Sequence, residues 1–213
     1  MQFSTVFFDL DDTLYPSSTG LWLAIKERMN SYIRERLGIP EPEIPALREK
    51  YFKEYGTTLR GLEARHSVDP ADFLGYVHDL PLDKYLTPDP AQRAAILSLG
   101  TRNLIFTNAD AGHAGRVLAA MELADCFEAI VDVNAVAPYC KPMPESFQLA
   151  MQLAGEPDAG RCMLIDDLPR TTSVARSLGF FTVLWGADHP GDDADAAMKS
   201  WQELPRIVHE RGG

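Results

Sequence analysis

Thr5-Val6-Phe7-Phe8-Asp9-Leu10-Asp11-Asp12-Thr13 opens as a short apolar run of β-forming residues and breaks abruptly into charge. Such a run suits a strand buried on both faces, as in a parallel sheet, with its acids emerging at the carboxyl edge. Similar runs recur at 103–107, 129–133, 162–165 and 181–185. Helical patterns separate them: 91–99 closed by Gly100, 111–121, 145–154 closed by Gly155, and 171–178 closed by Gly179. Strand and helix alternate, which predicts right-handed crossovers and helices on both faces of the sheet. The expected fold class is α/β, a Rossmann-like doubly wound parallel sheet whose ligand site lies at the carboxyl ends of its strands.

One stretch breaks that rhythm. Between the first strand and Ala91 the chain shows helical pattern and no strand. Leu21, Ile25, Met29, Tyr32 or Ile33, and Leu37 form an amphipathic stripe, with Ser17, Ser18 or Thr19 as the expected N-cap and Gly38 beyond the end. Leu47, Tyr51, Phe52 and Tyr55 repeat the pattern, and 58–65 and 70–79 read as two shorter helices, the latter opened by Asp69 and Pro70. The Pro- and Asp-rich segment 81–90 reads as the return linker. The expected organisation is therefore an α/β core from 1–16 and 87–213 with a helical insertion at 17–86, acting either as a lid over the sheet edge or as extra packing helices.

The chain has 213 residues, 46% of them hydrophobic and 24% charged, and a net charge of −11. That acidity argues against a nucleic-acid polymer or an anionic membrane surface as partner, and any phosphate must meet locally supplied positive charge. The first residues, Met1-Gln2-Phe3-Ser4, carry no basic segment ahead of a long apolar run, and no stretch approaches the ~20 apolar residues of a membrane span. A cytoplasmic location is the expectation. Cys126, Cys140 and Cys162 are odd in number and form no Cys-x-x-Cys pair, so they read as reduced thiols.

Asp9, Asp11 and Asp12 crowd three acids into four positions at a strand end. A solvated turn tolerates that repulsion, and so does a divalent cation. A second pair, Asp166-Asp167, also closes an apolar run, and in a parallel sheet both ends share one edge. Together they suit Mg²⁺, which is held by one or two carboxylates plus substrate phosphate oxygens. Thr107-Asn108 closes another strand ahead of a helix, where a hydroxyl and backbone N–H groups can cradle phosphate. Lys141 stands in the loop Tyr139-Cys-Lys-Pro142.

In this order, Asp9 to Thr13, Thr107, Lys141 and Asp166-Asp167 resemble the four motifs of the haloacid dehalogenase superfamily of phosphohydrolases. The insertion between the first two motifs resembles that superfamily's helical cap of the first type. The segments Phe7 to Ser18, Gly20-Leu-Trp22, Tyr55 to Leu62, Thr107-Asn-Ala-Asp110 and Tyr139 to Pro142 are further similar to the pyrimidine 5′-nucleotidase branch. One departure stands at Pro169-Arg-Thr-Thr172, where that branch leads us to expect Asn after the Arg.

The resemblance implies Asp9 as nucleophile and Asp11 as general acid and base. It also implies Mg²⁺ held by the Asp9 carboxylate, the Asp11 carbonyl and Asp167, with Asp166 close by. Thr107, the Asn108 N–H and Lys141 would hold the phosphate oxygens. Its substrate would be a small phosphomonoester such as UMP or CMP. For the base end, Arg60 could reach nucleotide oxygens and Tyr15 and Trp22 could stack or close, or all three serve packing alone. His66, His78 and His113 show no ligand spacing and read as structural or solvated. A phosphatase for sugar phosphates or phosphoglycolate would keep every motif. A dehalogenase typically lacks the acid at Asp11, and a noncatalytic module would most readily have lost Asp9, Asp11, Lys141 or Asp167.

Overall fold

The computed structural model describes residues 3–210; Met1, Gln2 and 211–213 of the expected core lie outside them. Six parallel strands form one sheet: β1 (Thr5–Phe8), β2 (Arg102–Phe106), β3 (Ala129–Val131), β4 (Cys162–Asp166), β5 (Phe181–Trp185) and β6 (Ala196–Met198), in the order β3-β2-β1-β4-β5-β6. Side-chain alternation explains why the central strands carry apolar residues on both faces. Val6 and Phe8 join one buried layer with Ile105, Met163, Ile165 and Val183, whereas Phe7 joins the other with Leu104, Phe106 and Leu164.

Helices cover both layers. α5 (Pro90–Leu97), α6 (Ala111–Ala120) and α9 (Leu204–Glu210) serve the first, α7 (Pro144–Ala154) and α8 (Pro169–Ser177) the second. The chain winds outward from β1 through β2 to β3, then returns to the other side of β1 with β4. The β1/β4 boundary is therefore the switch point at which ligand crevices open in such sheets. Asp9 and Asp166 stand there, with the Asp9 N–H bonded to the Ile165 carbonyl at 2.9 Å.

Four helices lie between β1 and α5: α1 (Leu21–Leu37), α2 (Ile44–Tyr55), α3 (Thr58–His66) and α4 (Pro70–Val77). They bury a cluster of their own around Tyr32, Ile33, Tyr51, Leu62 and Phe73, joined by Val133 and Cys140 from the sheet side. The start of α1 differs from expectation. Ser17–Thr19 form a single 3₁₀ turn and Gly20, at φ 82°, is the N-cap, because a left-handed residue is needed to turn the chain into the helix. The 81–90 linker is also more than a tether, since Leu82 and Leu86 pack into the sheet's first layer beside Leu21 and Ile25.

Strand β6 and helix α9 were not expected. Three residues rich in Ala carry little β signal, and β6 exists through its pairing with β5, Val183 opposite Ala196. Asp195, just before β6, accepts from the Thr182 N–H at 3.0 Å and from Arg176 Nε at 3.1 Å.

α2 and α3 meet with almost no space between them. A Cβ on Gly61 would stand 2.2 Å from the Tyr51 ring carbon Cγ. Gly61→Ala is therefore expected to destabilise the protein by about 1–3 kcal/mol through overpacking. Urea unfolding would show this as a lower midpoint, and an unchanged midpoint would mean the helices part freely.

Candidate active site

Lys141 organises the crevice. Its Nζ donates to Asp9 Oδ1 and to Asp166 Oδ2, each at 2.7 Å, and its side chain is only 3% exposed. Burial favours its neutral form, but the two carboxylates beside it raise the ammonium pKa above its ordinary value. Asp9 shifts upward too. Burial is the main cause, opposed by Lys141 and reinforced by Asp166 and Asp11.

Each neighbour of the lysine is held in turn. Asp166 Oδ1 accepts the Leu168 N–H at 3.0 Å, so both its oxygens are engaged. Thr13 Oγ1 donates to Asp9 Oδ2 at 3.0 Å and lies 3.5 Å from Asp167 Oδ1. The Asn108 amide clasps the lysine backbone in both directions, its Oδ1 accepting from Lys141 N and its Nδ2 donating to Lys141 O, each at 2.9 Å. Gln92, buried on α5, donates to the Leu14 carbonyl at 2.8 Å and steadies the loop that follows Asp9.

Asp9, Asp166 and Asp167 each place one carboxylate oxygen within 4.8 Å of the others, close enough to share a cation. Burial drives Asp167 upward first, and the charges of Asp9 and Asp166 add to it. A hard divalent cation with oxygen ligands fits such a set, because it would offset both the burial of these charges and their mutual repulsion. Asp12, at φ 62°, turns the chain at the crevice mouth; burial pushes its carboxyl up to about 6.

Thr107 and Asn108 also line the crevice. The Thr107 hydroxyl accepts the Ala109 N–H at 3.0 Å, which leaves its proton to donate. The first turn of α6 is otherwise engaged: the Ala111 N–H goes to Asp132 Oδ2 at 2.9 Å and the His113 N–H to Asp110 Oδ1 at 2.8 Å. Those two N–H groups are therefore not free to face the crevice.

Asp11 lines the same cavity. Its Oδ1 accepts from Tyr15 Oη in a short hydrogen bond and faces His113 Nε2 at 3.3 Å. Burial pushes this carboxyl up, but the interactions with His113, His78 and Tyr15 together outweigh it, so the group ends below its ordinary value. Sequence spacing alone missed His113 and its stacked neighbour His78. They are 35 positions apart and meet only because the inserted helices fold back over α6.

At the substrate end the structure corrects one expectation and decides between the alternatives for two others. Arg60 does not border the cavity. Its guanidinium is buried and bonds the carbonyls of Val133 at 2.7 Å and Tyr139 at 2.9 Å, with Glu63 at 2.8 Å, so it fastens α3 to the core. Tyr15 is fully packed beneath Asp11 and has no free face for stacking. Of the two readings for His78 and His113, the buried one holds: His78 pairs with Asp110, and His113 with Asp11 at the crevice. Trp22 does border it, along with Lys26, Met29, Arg48 and Phe52, in a cavity of about 540 Å³. Arg170, at the departure after Pro169, lies 3.4 Å over the Phe52 ring and donates to the carbonyls of Phe52 and Gly56, joining α8 to the end of α2.

A six-stranded parallel sheet with buried carboxylates and a lysine at its switch point defines a Rossmann-like α/β protein with a polar crevice. The model for haloacid dehalogenase-like hydrolases matches residues 3–179, and the chain belongs to that family. Phosphate metabolism protein 8 of Saccharomyces cerevisiae is 30% identical over 95% of this chain and 71% of its own. Among solved structures, the magnesium-bound HAD-hydrolase YfnB of Bacillus subtilis superposes with a TM-score of 0.63 at 16% identity, covering 98% of this chain and 99% of its own. A HAD family hydrolase of Deinococcus radiodurans with bound phosphate and sodium gives 0.58 at 24% identity, covering 99% and 97%.

The raised Asp167 carboxyl makes a testable stability statement. A carboxyl with a folded pKa above its unfolded one contributes stability below the unfolded value, roughly pH 4, and loses it as pH climbs through the folded value. In divalent-free buffer, Asp167→Asn should therefore gain on the wild type as pH rises from 5 to 8. Paired urea titrations across that range measure the gap, and a constant gap would contradict the geometry.

Proposed function

We propose that the protein is a Mg²⁺-dependent phosphomonoesterase that works through an aspartyl-phosphate on Asp9 and acts on pyrimidine nucleoside monophosphates such as UMP and CMP. The observation behind it is that Asp9, Asp11 and Lys141 border one cavity, with Lys141 joined directly to Asp9. Asp11 favours phosphoryl transfer over dehalogenation, since a halide leaving group needs no proton. The nucleotidase branch rests on the similarity at Phe7 to Ser18, Tyr55 to Leu62 and Tyr139 to Pro142.

In this mechanism Asp9 attacks phosphorus in line, forming an O–P bond as the ester bond breaks. The proton that leaves with the nucleoside oxygen enters with the phosphate monoanion and is passed on by Asp11. In the second step Asp11 takes a proton from water, whose oxygen attacks the phosphoryl group and frees Asp9. The depressed Asp11 carboxyl suits that second role. Lys141, the Thr107 hydroxyl and the Asn108 N–H hold the equatorial oxygens. Asp9, the Asp11 carbonyl and Asp167 are the residues that would hold Mg²⁺, with Asp166 fixing Lys141. When bound, Mg²⁺ supplies the positive charge that lets an anionic nucleophile meet an anionic ester.

We assign residues 17–86 as a cap over this site, with Trp22, Lys26, Met29, Arg48 and Phe52 facing the base and sugar. The buried, unpaired cysteines accord with a reducing, cytoplasmic setting.

Phosphate release from UMP and CMP should vanish in EDTA, return with Mg²⁺, and fall by at least about 10³-fold in Asp9→Asn. Equal rates for UMP, sugar phosphates, phosphoglycolate and a generic aryl phosphate would exclude the nucleotidase assignment. Full activity in Asp9→Asn would exclude the mechanism. Mg²⁺ should also raise the melting temperature of the wild type and not of Asp167→Asn, which tests the cation site without turnover.

A further inference from the structure

Two imidazoles stack beside Asp11. The rings of His78 and His113 lie 4.0 Å apart at 16°, and both are buried. His113 belongs to α6 and points Nε2 at Asp11 Oδ1, 3.3 Å away. His78 comes from the far side of the crevice, as the cap residue of α4, and its Nδ1 bonds Asp110 Oδ2 at 2.5 Å. Arg116, also on α6, donates to the His78 carbonyl at 2.8 Å. The inserted helices and the sheet core are thus joined at His78 by a ring stack, a side-chain hydrogen bond and a backbone hydrogen bond, close to Asp11.

Asp11 Oδ1 receives both Tyr15 and His113, while among the described residues no protein group bonds Oδ2. Two donors on one oxygen fix the carboxylate's rotation and leave the other oxygen for proton transfer. Tyr15 lies only four residues away in the same loop, so it can follow Asp11 if the loop shifts. His113 cannot, because it is anchored on α6. Its own Nδ1 is buried without a partner, so packing against His78 and the Asp11 contact are what hold the ring.

We propose that His113 is a positioning residue for Asp11, and that His78 holds it there from the inserted helices, so that the proton-transfer carboxylate adopts its working orientation only while those helices are docked. This rests on the role given to Asp11 above. Proton delivery to the leaving oxygen would then be coupled to closure over the substrate, and an open crevice would be a poor acid–base site.

The test separates orientation from mere packing through the leaving group. p-Nitrophenolate departs without a protonated acid, whereas a nucleoside oxygen needs one. His113→Leu should lose about 10²-fold in kcat on UMP with little change in KM, the scale of a misplaced catalytic group. It should keep a pre-steady-state burst of p-nitrophenol, because Asp9 can still be phosphorylated. His78→Ala should shift both readouts the same way. His113→Gln, whose amide can reach Asp11, should retain most UMP turnover, and the shorter His113→Asn should not.

Equal loss of UMP turnover and of the p-nitrophenol burst in His113→Leu would overturn the proposal, as would indistinguishable Gln and Asn variants. Should the Leu variant fail to fold by circular dichroism, the Gln and Asn pair decides. Asp11→Asn, run in parallel, keeps the two levels apart. If it turns over UMP normally, the role of Asp11 itself fails; if it is inactive while His113→Leu is not, only the positioning role fails.

Discussion

One buried ammonium group, placed between two buried carboxylates, is the contact on which the rest of this crevice depends. Without Lys141, Asp9 and Asp166 would face each other and Asp167 at the most enclosed point of the sheet edge, where uncompensated charge is costly. The fold has to deliver that lysine from a loop rather than from a strand, and it does so with the side chain of Asn108, which grips the lysine backbone at N–H and carbonyl alike. Two loops from neighbouring strands are thereby locked at the same height as the end of β1. The Thr13 hydroxyl closes the set from below.

The sheet was legible in sequence because its central strands carry apolar residues on both faces, and the acids that follow β1 and end β4 point to the edge where the crevice lies. What could not be read was contact between residues far apart in the chain. Arg60 carries the same letters whether it meets a substrate oxygen or a peptide carbonyl, and only the packing of α3 against 133–139 decides. His78 and His113 meet through the fold of the insertion, with no spacing rule to betray them. The two edge elements, β6 and α9, escaped for a different reason: their residues have weak local preference, and neighbours impose the structure.

The acidity of the chain divides in the same way. Asp9, Asp11, Asp166 and Asp167 are concentrated at the crevice, and Asp110 and Asp195 hold structure through His78, Arg176 and backbone N–H groups. For Asp110, burial is outweighed by the His78 hydrogen bond and the His113 N–H, so its carboxyl sits well below the ordinary range. An acid that strongly anchored stabilises the junction between insertion and core.

The arginines that fasten that junction share one habit. Arg60 grips the carbonyls of Val133 and Tyr139, Arg170 those of Phe52 and Gly56, and Arg116 that of His78. A peptide carbonyl is present whatever residue occupies the position. In a lineage of such enzymes the anchoring arginines would therefore persist while the residues they hold drift freely, and a search for correlated substitutions across the junction would find arginines with no covarying partner.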